Sequence, residues 1–161
     1  MNNKLIIIRG PLGIGKSTIS KIISERINAK YLSLDKILDE NNLIPEGEGI
    51  PLESFLNANK LILKEVTQNN LTIIDGCFYY KEQIEDLENS LKHNLIILSL
   101  TCSVEKCIER DSKREKVYGE DSARFVYMVT EKIKAGYYIN TENLTTEETI
   151  EKALYFINKM I

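Results

Sequence analysis

Cysteine and histidine are scarce in this chain of 161 residues, which holds three cysteines and one histidine. Cys77, Cys102 and Cys107 form no C-x-x-C pair, and His93 has no zinc-ligand partner at a useful spacing. The sequence therefore lacks the pattern of a structural zinc site. We expect three reduced thiols, two of them buried.

Long apolar runs are also absent, since no run approaches the roughly 20 residues that a membrane-spanning helix needs. The segment at residues 4–9 is too short for a signal-peptide core, and Gly-Pro follows it where a cleavage site would have small residues. We expect no membrane partner and a cytoplasmic location. The formal net charge of -3 gives no general field for polyanions, so nucleic acid is expected only as a locally held substrate.

Three short apolar segments are nearly continuous rather than alternating, which is typical of strands covered on both faces of a parallel sheet. They lie at residues 5–8, 71–74 and 95–100, and weaker strand candidates lie at residues 31–34 and 137–140. Segments with helical spacing of apolar residues alternate with these strands. With 43% apolar residues the chain is long enough for one core, so we predict a single α/β domain over residues 1–161.

Two segments have little apolar pattern: residues 41–51, which are rich in proline and glycine, and residues 113–121, which are highly charged. We predict that both are mobile loops. Near the C-terminus, Thr145 and Thr146 precede two glutamates and a segment with helical spacing. A hydroxyl and acids at this place predict the N-terminal cap of a final helix.

Residues 10–17 match the pattern G-x-x-x-x-G-K-[ST] at every fixed position, directly after a predicted strand and before a predicted helix. The glycines let backbone amides turn inward around an anion, and the helix N-terminus adds its partial positive charge. We expect Lys16 to reach the β- and γ-phosphates of ATP and Ser17 to bind Mg²⁺. The predicted nucleotide-binding residues are Gly10, Pro11, Leu12, Gly13, Ile14, Gly15, Lys16, Ser17 and Thr18.

The loop has three alternative interpretations besides an ATP site. A glycine-rich turn needs no ligand at all. A dinucleotide site is suggested by residues 13–18 and by Asp35, which lies 20 residues beyond Gly15, but Thr18 stands where that fingerprint has Gly or Ala. A GTPase shares the loop, yet the chain has no N-K-x-D segment, and Asp75 opens no D-x-x-G segment.

Four features of the sequence resemble the small P-loop kinases of the nucleoside and polynucleotide kinase group. They are the loop, Asp35 after the second strand, Asp75 and Gly76 after the third, and the arginine-containing residues 107–114. The resemblance spans most of the chain and is specific at the loop. It implies a three-layer α/β sandwich with five parallel strands in the order 2-3-1-4-5 and an arginine-bearing lid at about residues 110–124. It also implies ATP-dependent transfer of the γ-phosphoryl group to a hydroxyl acceptor, with Mg²⁺.

In such kinases an acid at the position of Asp35 accepts a proton from the attacking hydroxyl or orients it. The resemblance thus makes Asp35 a catalytic residue, whereas the local sequence is equally typical of an aspartate that caps a short helix. Asp75 takes the place of the acid that holds Mg²⁺ through water, and a simple Asp-Gly turn is the alternative. Residues 76–80 depart from the adenylate kinases, in which an aromatic residue, proline and arginine follow the glycine. This departure weakens the alternative of a nucleoside-monophosphate kinase.

Arginine is rare, and three of the five arginines fall in one short charged segment. Arginine neutralises a transferring phosphoryl group well, because its fork matches the oxygens and keeps its charge. We therefore predict Arg110, Arg114 and Arg124 as catalytic residues that a closing lid carries to the phosphates, with Arg110 also able to lie against the base. The alternative is a solvated helix surface on which these arginines pair with glutamates.

The acceptor region that the resemblance implies, residues 31–70, holds three lysines and no arginine. A phosphorylated acceptor would normally be held by arginine there. We therefore expect an unidentified hydroxyl acceptor without a phosphate group: a small molecule, a nucleoside or a nucleic-acid 5′-hydroxyl. Tyr79, Tyr80 and Tyr118 are either stacking surfaces for it or part of the core edge. A regulatory ATPase without a dedicated acceptor is the remaining alternative.

Overall fold

The computed structural model describes residues 3–47 and 49–161. Five strands form one sheet in which every neighbouring pair is parallel, and the strand order β2-β3-β1-β4-β5 confirms the predicted order. The strands are β1 Lys4–Arg9, β2 Lys30–Ser33, β3 Leu71–Gly76, β4 Leu95–Thr101 and β5 Tyr137–Asn140.

Helices cover both faces of the sheet and complete the predicted three layers. One apolar core packs α1 and α7 against one face, and a second packs α2, α3 and α4 against the other. The helices are α1 Lys16–Arg26, α2 Leu34–Glu40, α3 Leu52–Gln68, α4 Lys81–Leu91, α5 Val104–Ser112, α6 Glu120–Glu131 and α7 Thr146–Met160, with a short 3₁₀ turn at Lys92–Asn94.

The position of β1 at the centre of the sheet explains why residues 5–8 are continuously apolar. Ile6 and Ile8 belong to the core under α1 and α7, whereas Leu5 and Ile7 belong to the core on the opposite face. All four side chains are 0% exposed. Burial of each contributes about 1.5–3 kcal/mol relative to exposure, so this strand anchors the phosphate loop that follows it.

The boundary between β2 and α2 differs from the prediction. The predicted strand at residues 31–34 ends at Ser33, and Leu34 opens α2 because Leu34 and Leu38, one helical turn apart, are both buried in the same core. Asp35 therefore lies in the first turn of α2 rather than directly at the strand end. The alternative that Asp35 caps this helix is wrong, because Ser33 occupies the N-cap position.

The charged segment at residues 113–121 is only partly a loop. It is irregular as far as Gly119, and α6 begins at Glu120. Helix α6 was not predicted, although its apolar residues have helical spacing, and it buries Ala123 and Thr130. The mobility of this segment stays a prediction, as does that of residues 41–51, of which Glu48 lies outside the described residues.

The predicted cap of the last helix and the predicted free cysteines are confirmed. Thr145 caps α7: its hydroxyl accepts from the Glu148 amide, and the Glu148 carboxylate accepts from the Thr145 amide. All three cysteines are free, with Cys102 and Cys107 buried. None of the described helices is long and apolar enough to span a membrane. The cytoplasmic location stays a prediction, as does the extent of the single domain.

Candidate active site

Two glycines give the phosphate loop its shape. Gly13 has φ of +79°, and a Cβ atom there would lie 2.3 Å from the carbonyl oxygen of Cys107, so α5 packs directly against the loop backbone. Gly15 has φ of +95° and is the N-cap residue of α1. The loop therefore ends at a helix N-terminus, where free amides and the helix dipole favour an anion.

A first cavity of about 360 Å³ opens beside this loop, which is a suitable size for a small ligand. The loop and the start of α1 form one side, and Arg110, Arg114 and the region around the start of α7 form the other. The lining residues are Gly13, Ile14, Gly15, Lys16, Ser17, Thr18, Ile19, Arg110, Arg114, Thr141, Leu144, Thr146 and Thr149. Gly10, Pro11 and Leu12 belong to the same loop but do not line the cavity.

Lys16 lies at the centre of this group. Its ammonium donates a hydrogen bond of 2.8 Å to the carbonyl oxygen of Pro11 within the loop. It also lowers the pKa of Asp75 through its charge, although burial raises that pKa by more. The lysine thus lies between the phosphate loop and the acid at the end of β3.

Asp75 is brought to the site by the register of the sheet. It pairs with Ile8 of β1 and Ser33 of β2 and is 3% exposed. Burial raises its pKa, and the Tyr31 hydroxyl, which donates a hydrogen bond of 2.5 Å to Oδ2, lowers it in part. The pKa of Tyr31 is itself raised by burial and by Asp75, so Tyr31 keeps its proton and acts as the donor.

Ser17 and Asp75 suit a magnesium ion. Burial raises the pKa of Asp75, and the Ser17 hydroxyl is one of the smaller influences that lower it. Carboxylate and hydroxyl oxygens are hard ligands, and Mg²⁺ usually takes one or two carboxylates together with phosphates and water. In the part of the chain that the structure describes, no group of three or more His, Cys, Asp or Glu side chains could hold a metal. The donor set therefore fits Mg²⁺ carried by a nucleotide better than a closed protein cage.

Asp35 faces the same end of the sheet. Asp35 follows Ser33, the strand partner of Asp75, by two residues. Burial raises the pKa of Asp75 and of Tyr79, and the Asp35 charge adds a smaller increase to each. The side chain is exposed. Within residues 3–47 and 49–161 its carboxylate makes no hydrogen bond or ion pair. Asp35 is thus an unengaged acid next to the predicted magnesium ligand.

Arg110 and Arg114 reach the first cavity in different ways. The Arg110 guanidinium donates to the hydroxyl and to the carbonyl oxygen of Thr141, at 3.2 Å each, and so forms a fixed part of the wall. Arg114 lies on the loop after α5 with its side chain 43% exposed, and its guanidinium is 5.5 Å from the centre of the Tyr118 ring. The Arg114 Nη1 atom also lies 3.8 Å from Oδ1 of the buried Asp111. Arg110 is therefore hydrogen-bonded into the wall, whereas Arg114 is held by this longer ion pair and by the Tyr118 ring.

Arg124 is not brought to the first cavity. It lies on the exposed side of α6 and pairs with Glu120 through Nε at 2.9 Å and Nη2 at 2.8 Å. Contact with the phosphates would need a movement of α6, so this role stays a prediction.

Asp111 is a site residue that the sequence did not reveal. It is 2% exposed, and its Oδ2 atom accepts hydrogen bonds of 3.1 Å from the amides of Tyr118 and Gly119, which closes the loop that carries Arg114. Its Oδ1 atom is buried without a hydrogen-bond partner. A single acid inside a charged run gives no sequence signal for this role.

Arg9 was also missed. It is 2% exposed, and its guanidinium donates to the Ser99 hydroxyl and to the carbonyl oxygens of Phe78, Thr130 and Ile133. Two of these carbonyls lie at the end of α6, where a cation is favoured by the helix dipole. Burial lowers the pKa of Arg9. The one signal in the sequence was an arginine directly after the apolar residues 5–8 of β1.

A second cavity of about 480 Å³ lies beyond the end of β3. Its lining residues are Pro45, Glu46, Gly49, Ile50, Pro51, Tyr79, Tyr80, Phe125 and Val129. Tyr79 and Tyr80, which the sequence offered as stacking surfaces, thus line a cavity, whereas Tyr118 is exposed on the loop after α5.

Comparisons with known proteins agree with this geometry. A family model described as "AAA domain" matches residues 6–127. The chain is 25% identical to a shikimate kinase of Haemophilus influenzae (strain PittEE) over 97% of this chain and 89% of that protein. It is 28% identical to a cytidylate kinase of Sulfurisphaera tokodaii over 98% of this chain and 97% of that protein.

Among solved structures, a gluconokinase from Sinorhizobium meliloti 1021 has a TM-score of 0.79 at 14% sequence identity, covering 98% of this chain and 93% of that one. This likeness supports the fold, and the family match covers well over half of the chain. The chain therefore belongs to the AAA domain family and is a small kinase of the P-loop NTPase superfamily.

Proposed function

We propose that this kinase transfers the γ-phosphoryl group of Mg-ATP to a hydroxyl group of a small molecule. The observation that carries the proposal is the position of Asp35, an exposed and unengaged carboxylate two residues beyond Ser33, the strand partner of Asp75, at the carboxyl end of the sheet, where the phosphate loop follows β1. A protein that only bound ATP would need no free acid at this place. A phosphotransferase uses one to accept the proton of the attacking hydroxyl.

Lys16, Arg110 and Arg114 would neutralise the charge on the transferring group. They lie around one cavity, and phosphoryl transfer depends mainly on positioning and on such charge neutralisation. The loss of one such donor typically lowers the rate by about 10²–10³-fold. Arg124 would join them only when α6 moves toward the loop.

Ser17 and Asp75 would hold the magnesium ion, Ser17 directly and Asp75 through water. An ion held there would offset part of the negative charge of the phosphates. The buried Asp75 carboxylate supports this role, because burial of a charge without a nearby cation is unfavourable. Tyr31 keeps the carboxylate in a fixed orientation through its hydrogen bond to Oδ2.

The similar proteins do not agree on an acceptor, since three of their names point to the small molecules shikimate, gluconate and cytidylate and a fourth to a seryl group carried on tRNA. What the first three names share is phosphoryl transfer to a small molecule. A nucleic-acid 5′-hydroxyl remains in the proposal only as a locally held substrate. The net charge of -3 gives no general attraction for a long polyanion.

The test is ATP turnover with and without hydroxyl acceptors. ADP release should rise when an acceptor is added, and Lys16→Ala should abolish phosphoryl transfer while it leaves the fold intact, because Lys16 contacts the loop rather than either core. Lys159→Ala, a change of an exposed lysine at the far end of α7, is the matched control and should not alter turnover.

Two outcomes would contradict the proposal. Unchanged turnover in Lys16→Ala would mean that the loop is not the nucleotide site. Turnover that depends on Lys16 but is not raised by any acceptor would favour a regulatory ATPase instead.

A further inference from the structure

The second cavity offers a basis for the chemical class of the acceptor. At about 480 Å³ it is large enough for a molecule of nucleoside size. One side is the loop around Pro45 and Pro51, and the other is the exposed face of α6, where Phe125 and Val129 lie one turn apart. Phe125 is 61% exposed, an unusual position for a large apolar ring unless it meets a ligand or partner.

The floor of the second cavity is a cluster of three aromatic rings. The ring centres of Phe55, Tyr79 and Tyr80 lie 5.2–5.4 Å from one another. Tyr80 also donates a hydrogen bond of 3.0 Å to the carbonyl oxygen of Ile50 and so fixes the loop to this cluster. The cavity therefore has a rigid aromatic floor, which suits a flat ring better than a flexible chain.

The second cavity has no positive charge to offer. Of the described residues that line it, none is Lys, Arg or His, and Glu46 is the one that carries a formal charge at neutral pH. Arg9 is committed to four oxygen atoms beneath the floor, including the Phe78 carbonyl. Arg124, next to Phe125 in the sequence, pairs with Glu120. An anionic group placed here would lose its hydration without gaining a cation, which is costly.

The second cavity and Asp35 are linked through the packing at Gly76, where an added Cβ atom would meet the Leu34 side chain at 2.8 Å and the Phe78 ring at 3.0 Å. Phe78 adopts a left-handed conformation with φ of +49°, although its ring is fully buried, and this turn directs Tyr79 away from β3 into the cavity. Asp35 follows Leu34 in the chain and Tyr79 follows Phe78, so both extend from residues that pack at Gly76. Burial is the largest cause that raises the pKa of Tyr79 to about 12, and the Asp35 charge adds to it. A compound on the Tyr79 ring would thus lie close to Asp35.

We propose, on the basis of the function proposed above, that the acceptor is a non-anionic hydroxyl compound with a planar ring that packs against Tyr79 and Phe125. Its ring occupies the second cavity and its hydroxyl points to Asp35. Shikimate and gluconate, which are carboxylates, and cytidylate, which is a phosphate ester, fall outside this class. The aromatic surfaces supply the affinity, and the lack of a cation supplies the discrimination.

Matched pairs of compounds test whether the acceptor must lack a negative charge. Uridine, adenosine and chloramphenicol are the neutral ring compounds, and uridine 5′-monophosphate, AMP, shikimate and gluconate are the anionic ones. Product is identified by mass and kcat/KM is measured with Mg-ATP for each. At least one neutral compound should be phosphorylated, with kcat/KM at least tenfold above every anionic compound. Preference for a carboxylate or a phosphate, or no binding of any neutral ring compound to the enzyme with a non-hydrolysable ATP analogue, overturns the inference.

Substitutions test whether the acceptor binds in the second cavity. Phe125→Ala should raise KM for the accepted compound about tenfold, more than any change in KM for ATP. Glu46→Lys should shift the preference toward the anionic member of a pair. Met128→Ala is the control, because Met128 is 47% exposed on the same helix but does not line the second cavity, and it should leave KM unchanged.

The two proposals fail in different ways. If Lys16→Ala abolishes transfer but the accepted compound is anionic, or Phe125→Ala leaves its KM unchanged, only the acceptor class is wrong. If Lys16→Ala leaves ATP turnover unchanged, the proposed function itself is wrong.

Discussion

The Tyr31 hydroxyl donates a hydrogen bond of 2.5 Å to Oδ2 of Asp75 and so joins the edge strand β2 to the end of β3. The donor is half-buried beside the buried acid, and its pKa is raised by burial and by Asp75, so the phenol stays protonated. One oxygen of the carboxylate is therefore held by the protein before any metal or nucleotide binds. This pairing reduces the cost of a buried negative charge without removing it, since the pKa of Asp75 is still raised.

The first prediction concerns the stability of the free protein. A carboxyl whose pKa is raised by folding contributes stability at pH values below its ordinary pKa, and this contribution is lost as the pH rises through the raised pKa. Asp75→Asn removes the charge and should therefore make the protein more stable than the wild type at pH 7, with the difference shrinking as the pH falls toward 4. Thermal unfolding without Mg²⁺ measures it, and about 1 kcal/mol corresponds to about 2–4 °C for a domain of this size.

Asp75→Asn should lower phosphoryl transfer although it stabilises the free protein. Asp75→Asn should lose the stabilisation that Mg-ATP gives the wild type and should lower phosphoryl transfer by about 10²-fold or more. Tyr31→Phe is the companion variant: it leaves the charge but removes its donor, so it should destabilise the protein at pH 7 by about 1–2 kcal/mol. A less stable Asp75→Asn protein at pH 7 would show that the carboxylate is structural rather than kept for a metal.

The second prediction separates nucleotide binding from chemistry. Asp35→Asn should leave the affinity for Mg-ATP within a few-fold, because Asp35 does not line the first cavity, and should lower transfer by about 10²-fold or more. Isothermal titration with a non-hydrolysable analogue and steady-state kinetics give the two quantities. Asp39→Asn, which changes an exposed acid one turn further along α2, is the control. Equal losses of binding and transfer would make Asp35 a metal ligand or a structural residue.

The sequence predicted those parts of the fold that depend on local pattern. Continuous apolar segments located β1, β3 and β4, and the phosphate loop was placed by its fixed spacing. The order of the strands came from a family resemblance, because apolar pattern does not determine which strands are neighbours. The end of β2 was missed by one residue, since Leu34 is apolar in either element and its helical role depends on Leu38.

Side chains whose role depends on distant partners were out of reach of the sequence. Arg9 donates to the carbonyl oxygen of Thr130, which is 121 residues away. Tyr31 and Asp75 are 44 residues apart, and neither lies in a motif that names the other. In the sequence Asp111 is one more charge in a polar segment, whereas in the structure the loop folds back on it. Local patterns report periodicity, whereas these contacts are created by the topology of the sheet.

The last prediction is that residues 113–117 become ordered when ATP binds. Their side chains are exposed. The loop is held by the Tyr118 and Gly119 amides, which donate to Asp111, and by ion pairs of Lys113 with Glu109 and of Arg114 with Asp111. There is too little apolar burial to offset the entropy of ordering the segment, so closure must come from the ligand. Charge-assisted hydrogen bonds from Arg114 to the phosphates would provide it, and closure would keep water away from the acceptor hydroxyl.

Amide hydrogen exchange measures this closure. Exchange at residues 113–117 should slow when Mg²⁺ and a non-hydrolysable ATP analogue are added, whereas the amides of Tyr118 and Gly119 should already be slow. Arg114→Ala should remove the slowing and lower turnover by about 10²-fold. Arg26→Ala, which changes an exposed arginine paired with Glu147 at the far end of α1, should do neither. Slow exchange at residues 113–117 without nucleotide, together with unaltered turnover in Arg114→Ala, would make the segment an ordinary surface loop and the lid assignment wrong.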